Sequence, residues 1–321
     1  MKKFDAIGVG LHAVDMLYFV PEKIKTGEKY VMDSFALQGG GPAGSGLSAI
    51  TRLGYKGAFV ARAGDNASSA LSLAEMKRNQ IDSSFVVRDK ESSPAFSIVQ
   101  IGKRTSERTI FVGMADYGYL KQKDIPVAAI KNARVMLVDS YDLRAAEMAL
   151  KAAYGTRCRT VIDFEGGDPD KMRKLLKYGT DIILPLATAK ALSGQKTPAK
   201  ALKKLSEFTQ GQLVTTDGKN GSWALTKNGV IHMGIVNTGK RVDSTGCGDA
   251  YHAGYAIGVL EDWELPMRME MGAFLAGLVL TGLGGRTALP FKDELKSLAK
   301  KHARKISPRL ARGLFKIANR K

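Results

Sequence analysis

A chain of 321 residues is long enough for one large α/β domain or two smaller ones, and its 44% hydrophobic and 25% charged residues are those of a soluble globular protein. No apolar run approaches the roughly 20 residues of a membrane span, and two cysteines with four scattered histidines exclude a disulfide framework and leave no spacing for structural zinc. The formal net charge of +18 is concentrated at the carboxyl end, and the moderately basic remainder suits a protein that handles anions.

At the amino end, MKKFDAIGVG interrupts its apolar residues with Asp5 and glycines, so it reads as a first strand of a cytoplasmic protein rather than as a signal peptide. Residues 4–10, 57–63, 134–139, 159–163, 181–184 and 212–216 are short apolar or β-branched runs and read as strands. Between them, residues 42–53, 68–79, 142–154, 170–178 and 199–208 carry apolar side chains three and four apart and read as helices. This alternation predicts an α/β fold with a mostly parallel central sheet covered on both faces, and ligands bound at the strands' carboxyl ends. Two segments, 15–38 and 94–113, break the alternation. Each looks like an antiparallel strand pair, with turns at Lys25-Thr26-Gly27 and near 102–106, and the two are expected to pair as a small β-flap.

Two glycine-rich stretches lie where a polar ligand could meet bare backbone. "LQGGGPAGSGLSAITRLG" (37–54) leads from Gly39, Gly40 and Gly41 into a helix pattern with Pro42 in its first turn. "VTTDGKNGSWAL" (214–225) passes from strand through Gly218 and Gly221 into a second strand, a surface open to a nucleotide and equally readable as a plain turn. The P-loop, dinucleotide and protein-kinase signatures are missing.

The stretch with most chemistry is "VDSTGCGDAYHAG" (242–254), just ahead of an apolar helix pattern at 250–260. Helix N-terminal N–H groups lack intrahelical acceptors and attract anions, so Gly246, Cys247 and Gly248 would admit a phosphate. A carboxylate at Asp249 repels phosphate but can take the proton of a hydroxyl that attacks one. The plain alternative makes Asp249 a helix N-cap.

Pro290 marks a plausible end of the main domain (residues 1–290). Residues 291–321 form a basic extension that holds eleven Lys or Arg against two acids, half of the chain's charge excess. Within it, 309–320 places Leu310, Leu314 and Ile317 on one face, a basic amphipathic helix. Docking on the protein's own body or a partner subunit is the ordinary reading, and nucleic acid or an anionic membrane surface the sharper alternative.

In order along the chain, these pieces resemble the ribokinase, or PfkB-type, family of carbohydrate kinases. The late signature D-x-T-G-x-G-D looks like Asp243–Asp249, and the early Gly-Gly signature is similar to residues 39–54. Gly8-x-Gly10 with Asp15, Gly64-Asp65, Glu107-Arg108-Thr109 in the flap, Thr216-Asp217-Gly218 and "GAFLAGLVLTGLGGRTALP" (272–290) follow in family order. The resemblance implies a ribokinase-like three-layer sandwich with a lid built from about 12–37 and 93–113. It also implies transfer of the ATP γ-phosphoryl group to a sugar hydroxyl. Asp249 would be the base, and the N–H groups of Gly246, Cys247 and Gly248 the anion hole. Asp15, Gly40, Gly41 and Gly44 fall at sugar positions. Arg108 would neutralise a phosphoryl group or an anionic substituent of the substrate. Thr216, Gly218, Gly221, Thr245, Gly277 and Gly282 would border the nucleotide. ATP and Mg²⁺ are the implied cofactors, K⁺ is left open, and a homodimer through the lid is the implied assembly.

Two positions depart from the family pattern. Gly44 stands where many members have Asn, and the Asn-x-x-Glu motif that organises magnesium is replaced by "LPLATAKALSG", with Pro185 and Thr188 at the matching places. The second departure is similar to the ketohexokinase and sulfofructose kinase branch and tilts the reading toward a ketose-like substrate. Cys247 replaces a common alanine, either as a tolerated small residue or as an oxidisable thiol. A nucleoside kinase would need a stacking aromatic such as Phe19 or Phe96. A non-catalytic sugar-, nucleotide- or nucleic-acid-binding relative is the reading from outside enzymology.

Overall fold

The computed structural model describes residues 3–21, 23–32 and 34–320. Glu22 and Asp33, inside the first expected strand pair, and Lys321, at the end of the basic tail, lie outside the described residues, as do Met1 and Lys2. Gly57–Ala63, Val135–Asp139 and Arg159–Asp163 are almost wholly buried, which is what strands need when helices cover both faces of a sheet. They sit in a ten-stranded sheet, with Ala6–Val9 paired in parallel between Gly57–Ala63 and Val135–Asp139. Beyond Arg159–Asp163 come Asp181–Pro185 and Gln212–Thr216, also parallel, then Ser222–Thr226 and Gly229–Met233 in antiparallel register.

Leu47, Ile50, Phe59, Tyr255 and Phe274 belong to the core on one face of this sheet; Ile7, Val60, Met136, Leu150 and Leu202 belong to the core on the other. Helix, sheet and helix therefore form three layers, as expected. The helices largely follow the expected bounds, from Pro42–Arg52 to Pro198–Leu205. The stretch 170–178 divides, with α-helix at Pro169–Leu175 and a 3₁₀ turn at Leu176–Tyr178. Gly229–Met233 and the helix Leu265–Val279 were not anticipated. Among the described residues no helix is long and apolar enough to cross a membrane.

The second sheet has four strands in the order Phe35–Gly40, Ala13–Val20, Ala95–Gly102, Arg108–Gly113. The two segments do pair with each other, through parallel pairing of Ala13–Val20 with Ala95–Gly102. Residues 21–34 separate the first pair by far more than a tight hairpin turn, although a turn does form at 26–27 with Gly27 at φ 84°. Alternation divides the sheet. Asp15, Leu17, Ser97, Val99 and Arg108 share one face; Met16, Tyr18, Phe35, Leu37, Ile98 and Phe111 share the other.

The basic tail does not hang free. Its helix Pro308–Ala318 buries Leu310, Leu314 and Ile317 in the same core as Leu47 and Phe274. Glu261 receives Lys316 at 3.4 Å and Arg320 at 2.9 Å, so part of the tail's charge is neutralised by the body.

Candidate active site

The 242–254 stretch folds around its glycines. Gly246 is the N-cap of the helix Cys247–Leu260 in the left-handed region, φ 75°, and a Cβ there would stand 2.4 Å from the Cα of Gly285. The helix thus begins three residues earlier than its apolar pattern suggests. Asp249 lies inside the first turn, which corrects the N-cap alternative. Asp243 fixes the approach: Oδ1 accepts hydrogen bonds from Thr245 N and Oγ1, both at 2.8 Å, and Oδ2 one from Gly284 N at 2.8 Å. Thr245 is thereby committed to the loop, whereas nothing stands within 4 Å of a Cβ built at Gly248.

Of the three expected anion-hole donors, Cys247 N–H is turned toward Ser244 O at 3.3 Å, a long bond. The Cys247 thiol contacts Ala276 O at 3.6 Å and packs against the core. Burial, aided by the Asp243 charge, pushes this thiol up to about 12, which together with its core packing favours the small-residue reading of Cys247. Asp249 is raised above the ordinary carboxylate range by burial, against the pull of His252, Arg108 and Arg286.

Asp15 lies over bare backbone: a Cβ on Gly40 would meet its carboxylate at 2.2 Å. Burial raises Asp15 to about 6, while Arg286 and a hydrogen bond from Ser97 pull it down. Gly41 has φ 80°, and a Cβ there would stand 2.0 Å from Leu11 O, so only glycine joins this loop to the helix Pro42–Arg52. At Gly44 the space of the missing side chain belongs to Arg286, whose Nη2 would lie 3.2 Å from an added Cβ. The departure from Asn is therefore filled from the other end of the chain.

Arg286 is one of three site residues that the motifs did not flag. It is 4% exposed and donates through Nη2 to Gly40 O at 3.1 Å and through Nε to Ser45 Oγ at 3.4 Å. Asp139, the second, ends a buried strand and accepts from Leu11 N at 2.9 Å, Tyr141 N at 3.1 Å and Ala43 N at 3.3 Å. The third, Asp163, ends the neighbouring strand, 3.3 Å from His252 Nδ1, and burial raises it well above its ordinary value. A carboxylate closing a buried parallel strand was the available signal for both acids.

On the second sheet, Arg108 donates to Ser244 Oγ at 3.0 Å and Arg241 to Ser106 O at 3.4 Å, so this sheet touches the Asp243–Asp249 loop. Phe96 shares the face of Val14 and Gly39, opposite to Asp15, and so cannot stack on a base beside Asp15. Thr216 ends its strand, and Gly218 and Gly221 (φ 49° and 85°) shape the turn that follows. Gly277 and Gly282 serve packing, against Val236 O and Ala288. Pro185 and Thr188 close a strand and open the helix Leu186–Ser193, with no carboxylate at either place.

A carboxylate inside the first turn of a helix, behind a loop that an arginine of the second sheet touches through Ser244, offers a base and a cation of the kinds phosphoryl transfer to a hydroxyl uses. The chain belongs to the pfkB family of carbohydrate kinases, whose family model matches residues 7–292. It is 27% identical to a 5-dehydro-2-deoxygluconokinase of Geobacillus kaustophilus, over 94% of this chain and 95% of that one. It is 25% identical to an ATP-dependent 6-phosphofructokinase of Thermoanaerobacterium thermosaccharolyticum, over 92% and 94%. Among solved structures, Arabidopsis thaliana ribokinase complexed with ribose and ATP has a TM-score of 0.78 at 17% identity, covering 100% of each chain. A Methanocaldococcus jannaschii nucleoside kinase has a TM-score of 0.75 at 19% identity, covering 94% and 99%. The fold is ribokinase-like, and the activity is ATP-dependent phosphorylation of a carbohydrate.

Proposed function

We propose that the chain transfers the ATP γ-phosphoryl group to a hydroxyl of a ketose-like sugar, with Asp249 as the base. The observation that carries this reading is the position of Asp249 inside the helix's first turn, behind the left-handed cap Gly246. Asp249 accepts the hydroxyl proton as oxygen attacks phosphorus, and the helix N-terminus and Arg108 take up the developing charge. Asp15 accepts a hydrogen bond from a second hydroxyl and sets which one reaches Asp249. The four-stranded sheet acts as the lid, and its closure keeps water from the phosphoryl group. Thr216–Gly221 and the 277–282 segment border the nucleotide in this reading.

Mg²⁺ fits as a companion of ATP. Among the described residues no three carboxylate, histidine or cysteine side chains form a cage, although Asp15, Asp139, Asp163 and Glu165 all feel the charge of Asp249. When bound, Mg²⁺ neutralises phosphate charge, held mainly by phosphate and water oxygens as is usual for this ion. The need for K⁺ is read from rates with and without the ion, and ATP with a sugar as substrates fits the cytoplasm. ADP release from Mg-ATP across ketoses, aldoses, sugar acids, sugar phosphates and nucleosides tests the reading, with 5-dehydro-2-deoxygluconate included because relatives carry its name. A preferred nucleoside, or no turnover at all, sinks it.

The outer lid face supports a homodimer. Phe35 is 61% and Phe111 55% exposed there, beside Leu37, an apolar patch of the kind that marks an interface. Light scattering at about 20 μM should give twice the chain mass for wild type, and the monomer for Phe35→Glu/Phe111→Glu, with the estimate resting on interface size. A monomeric wild type removes the dimer.

A further inference from the structure

We propose that Arg241 is a further catalytic residue, and that together with Arg108 it clamps the terminal phosphate of ATP where the second sheet meets the Asp243–Asp249 loop. This rests on the kinase reading for the presence of a phosphoryl group at that loop.

Two guanidiniums meet at this seam from opposite sides. Arg108 reaches from the sheet to Ser244 Oγ at 3.0 Å, and Arg241 reaches back from the loop to Ser106 O at 3.4 Å. With Glu107, Ile110 and Ser244 they line one cleft of about 500 Å³. Both arginines are exposed, and among the described residues neither forms an ion pair; Glu107, the single acid on the wall, joins neither of them. Each of the two contacts uses one nitrogen on a neutral oxygen, so further donors of both forks remain. Like charges that face one cleft repel, and an anion between them turns that repulsion into two attractions. A phosphate, with oxygens for two planar forks, fits in shape and charge. Ser106 takes a left-handed backbone at φ 55°, which is uncommon for a non-glycine residue, at the point where its carbonyl meets Arg241.

The cleft lies on the substrate side of the sheet. Arg108 and Ile110 share the face of Asp15, because Ile110 pairs with Val99 and Val99 with Leu17. Asp15 is level with Ser97, and Ser97 with Val112, so Arg108 stands four residues further along its strand, about 14 Å. That offset leaves room for a sugar at Asp15 and sets the arginines at the phosphoryl end. On the loop side, Ser244 is two residues ahead of Gly246, the cap of the helix that carries Asp249. Against burial and the Asp243 charge, which raise it, Arg108 and Arg241 both lower the Cys247 thiol, so the field of both reaches that first turn. A phosphate held from both elements ties sheet to loop, and ADP, which lacks the terminal group, cannot make this tie.

Calorimetric titration with the magnesium complexes of ADP and of the non-hydrolysable analogue adenylyl imidodiphosphate, and separately with D-fructose 6-phosphate, tests this on wild type, Arg241→Gln, Arg108→Gln and the double variant. Wild type should bind the analogue more tightly than ADP. Arg241→Gln should weaken the analogue about 10-fold, the low end for hydrogen bonds to a charged group because the side chain is exposed, and leave ADP within about twofold. Arg241→Lys, a point charge without the fork, should restore part. The double variant should lose less than the two single losses multiplied, since either arginine alone holds the phosphate poorly. Equal losses for ADP and the analogue would make Arg241 a loop brace and overturn the proposal. So would an unchanged analogue-to-ADP ratio, losses that multiply and so place the arginines on separate groups, or a loss confined to fructose 6-phosphate, which would give the cleft to a substrate phosphate. The expected fall of the ratio in a protein that turns over no sugar would sink the kinase reading and leave the clamp standing.

Discussion

Asp249→Asn should lower kcat by about 10²- to 10⁴-fold, the range a positioned general base supplies. The substitution keeps the side chain's shape in the first turn and removes only its capacity to take a proton. ATP binding should hold or tighten slightly, because a negative charge beside the phosphates is lost. The pH profile provides a second reading. Burial holds the Asp249 carboxyl above its ordinary value, so the wild-type rate should climb with pH through that raised pKa as the base becomes available. That acid limb should vanish in the variant. ADP release and calorimetric ATP titration at several pH values decide it. Turnover within about tenfold of wild type would mean that another group takes the proton.

Local pattern carried most of the fold. Gly57–Ala63, Arg159–Asp163 and Gln212–Thr216 match their expected bounds residue for residue, because buried parallel strands are apolar runs whose ends are marked by polar or turn-forming residues. The helix Leu265–Val279 escaped because it is apolar on nearly every side and presents no stripe to recognise. The helix after Gly246 starts early because its first residues, Cys247 and Gly248, are too small to declare an apolar face. In the site, Asp249, Asp15 and the glycine loops were legible as a motif, whereas Arg286 was not. Its role is set by contact with Ser45, 241 residues away in sequence, and by side chains that Gly39 and Gly44 lack. Absence of a side chain is visible in a sequence; what fills the gap is a tertiary fact.

Asp139→Ala should destabilise the protein by about 3–5 kcal/mol, because three buried backbone donors lose their acceptor at roughly 1–3 kcal/mol each with partial relief by water. Asp139 is fully buried and ties the end of its strand to Leu11, Ala43 and Tyr141, so the loss falls on the junction that presents the sugar loop. Burial lifts its carboxyl to about 7, more than the three N–H bonds pull it down. The folded state then holds a proton that the unfolded chain, with its ordinary value of 3.8, has already released. The stability from that proton is complete below the unfolded value and drains away as pH rises through about 7. His12, lowered to about 4 by burial, acts in the opposite sense up to 6.5, above which its unfolded form has also lost its proton. The decline due to Asp139 should therefore show most cleanly from about pH 6.5 to 8, at about 1 kcal/mol. Urea unfolding across that range should slope downward in wild type and flatten in Asp139→Ala. An equal slope in both proteins would assign the decline to the other raised carboxylates, Glu165, also lifted to about 7, with Asp15, Asp163 and Asp249.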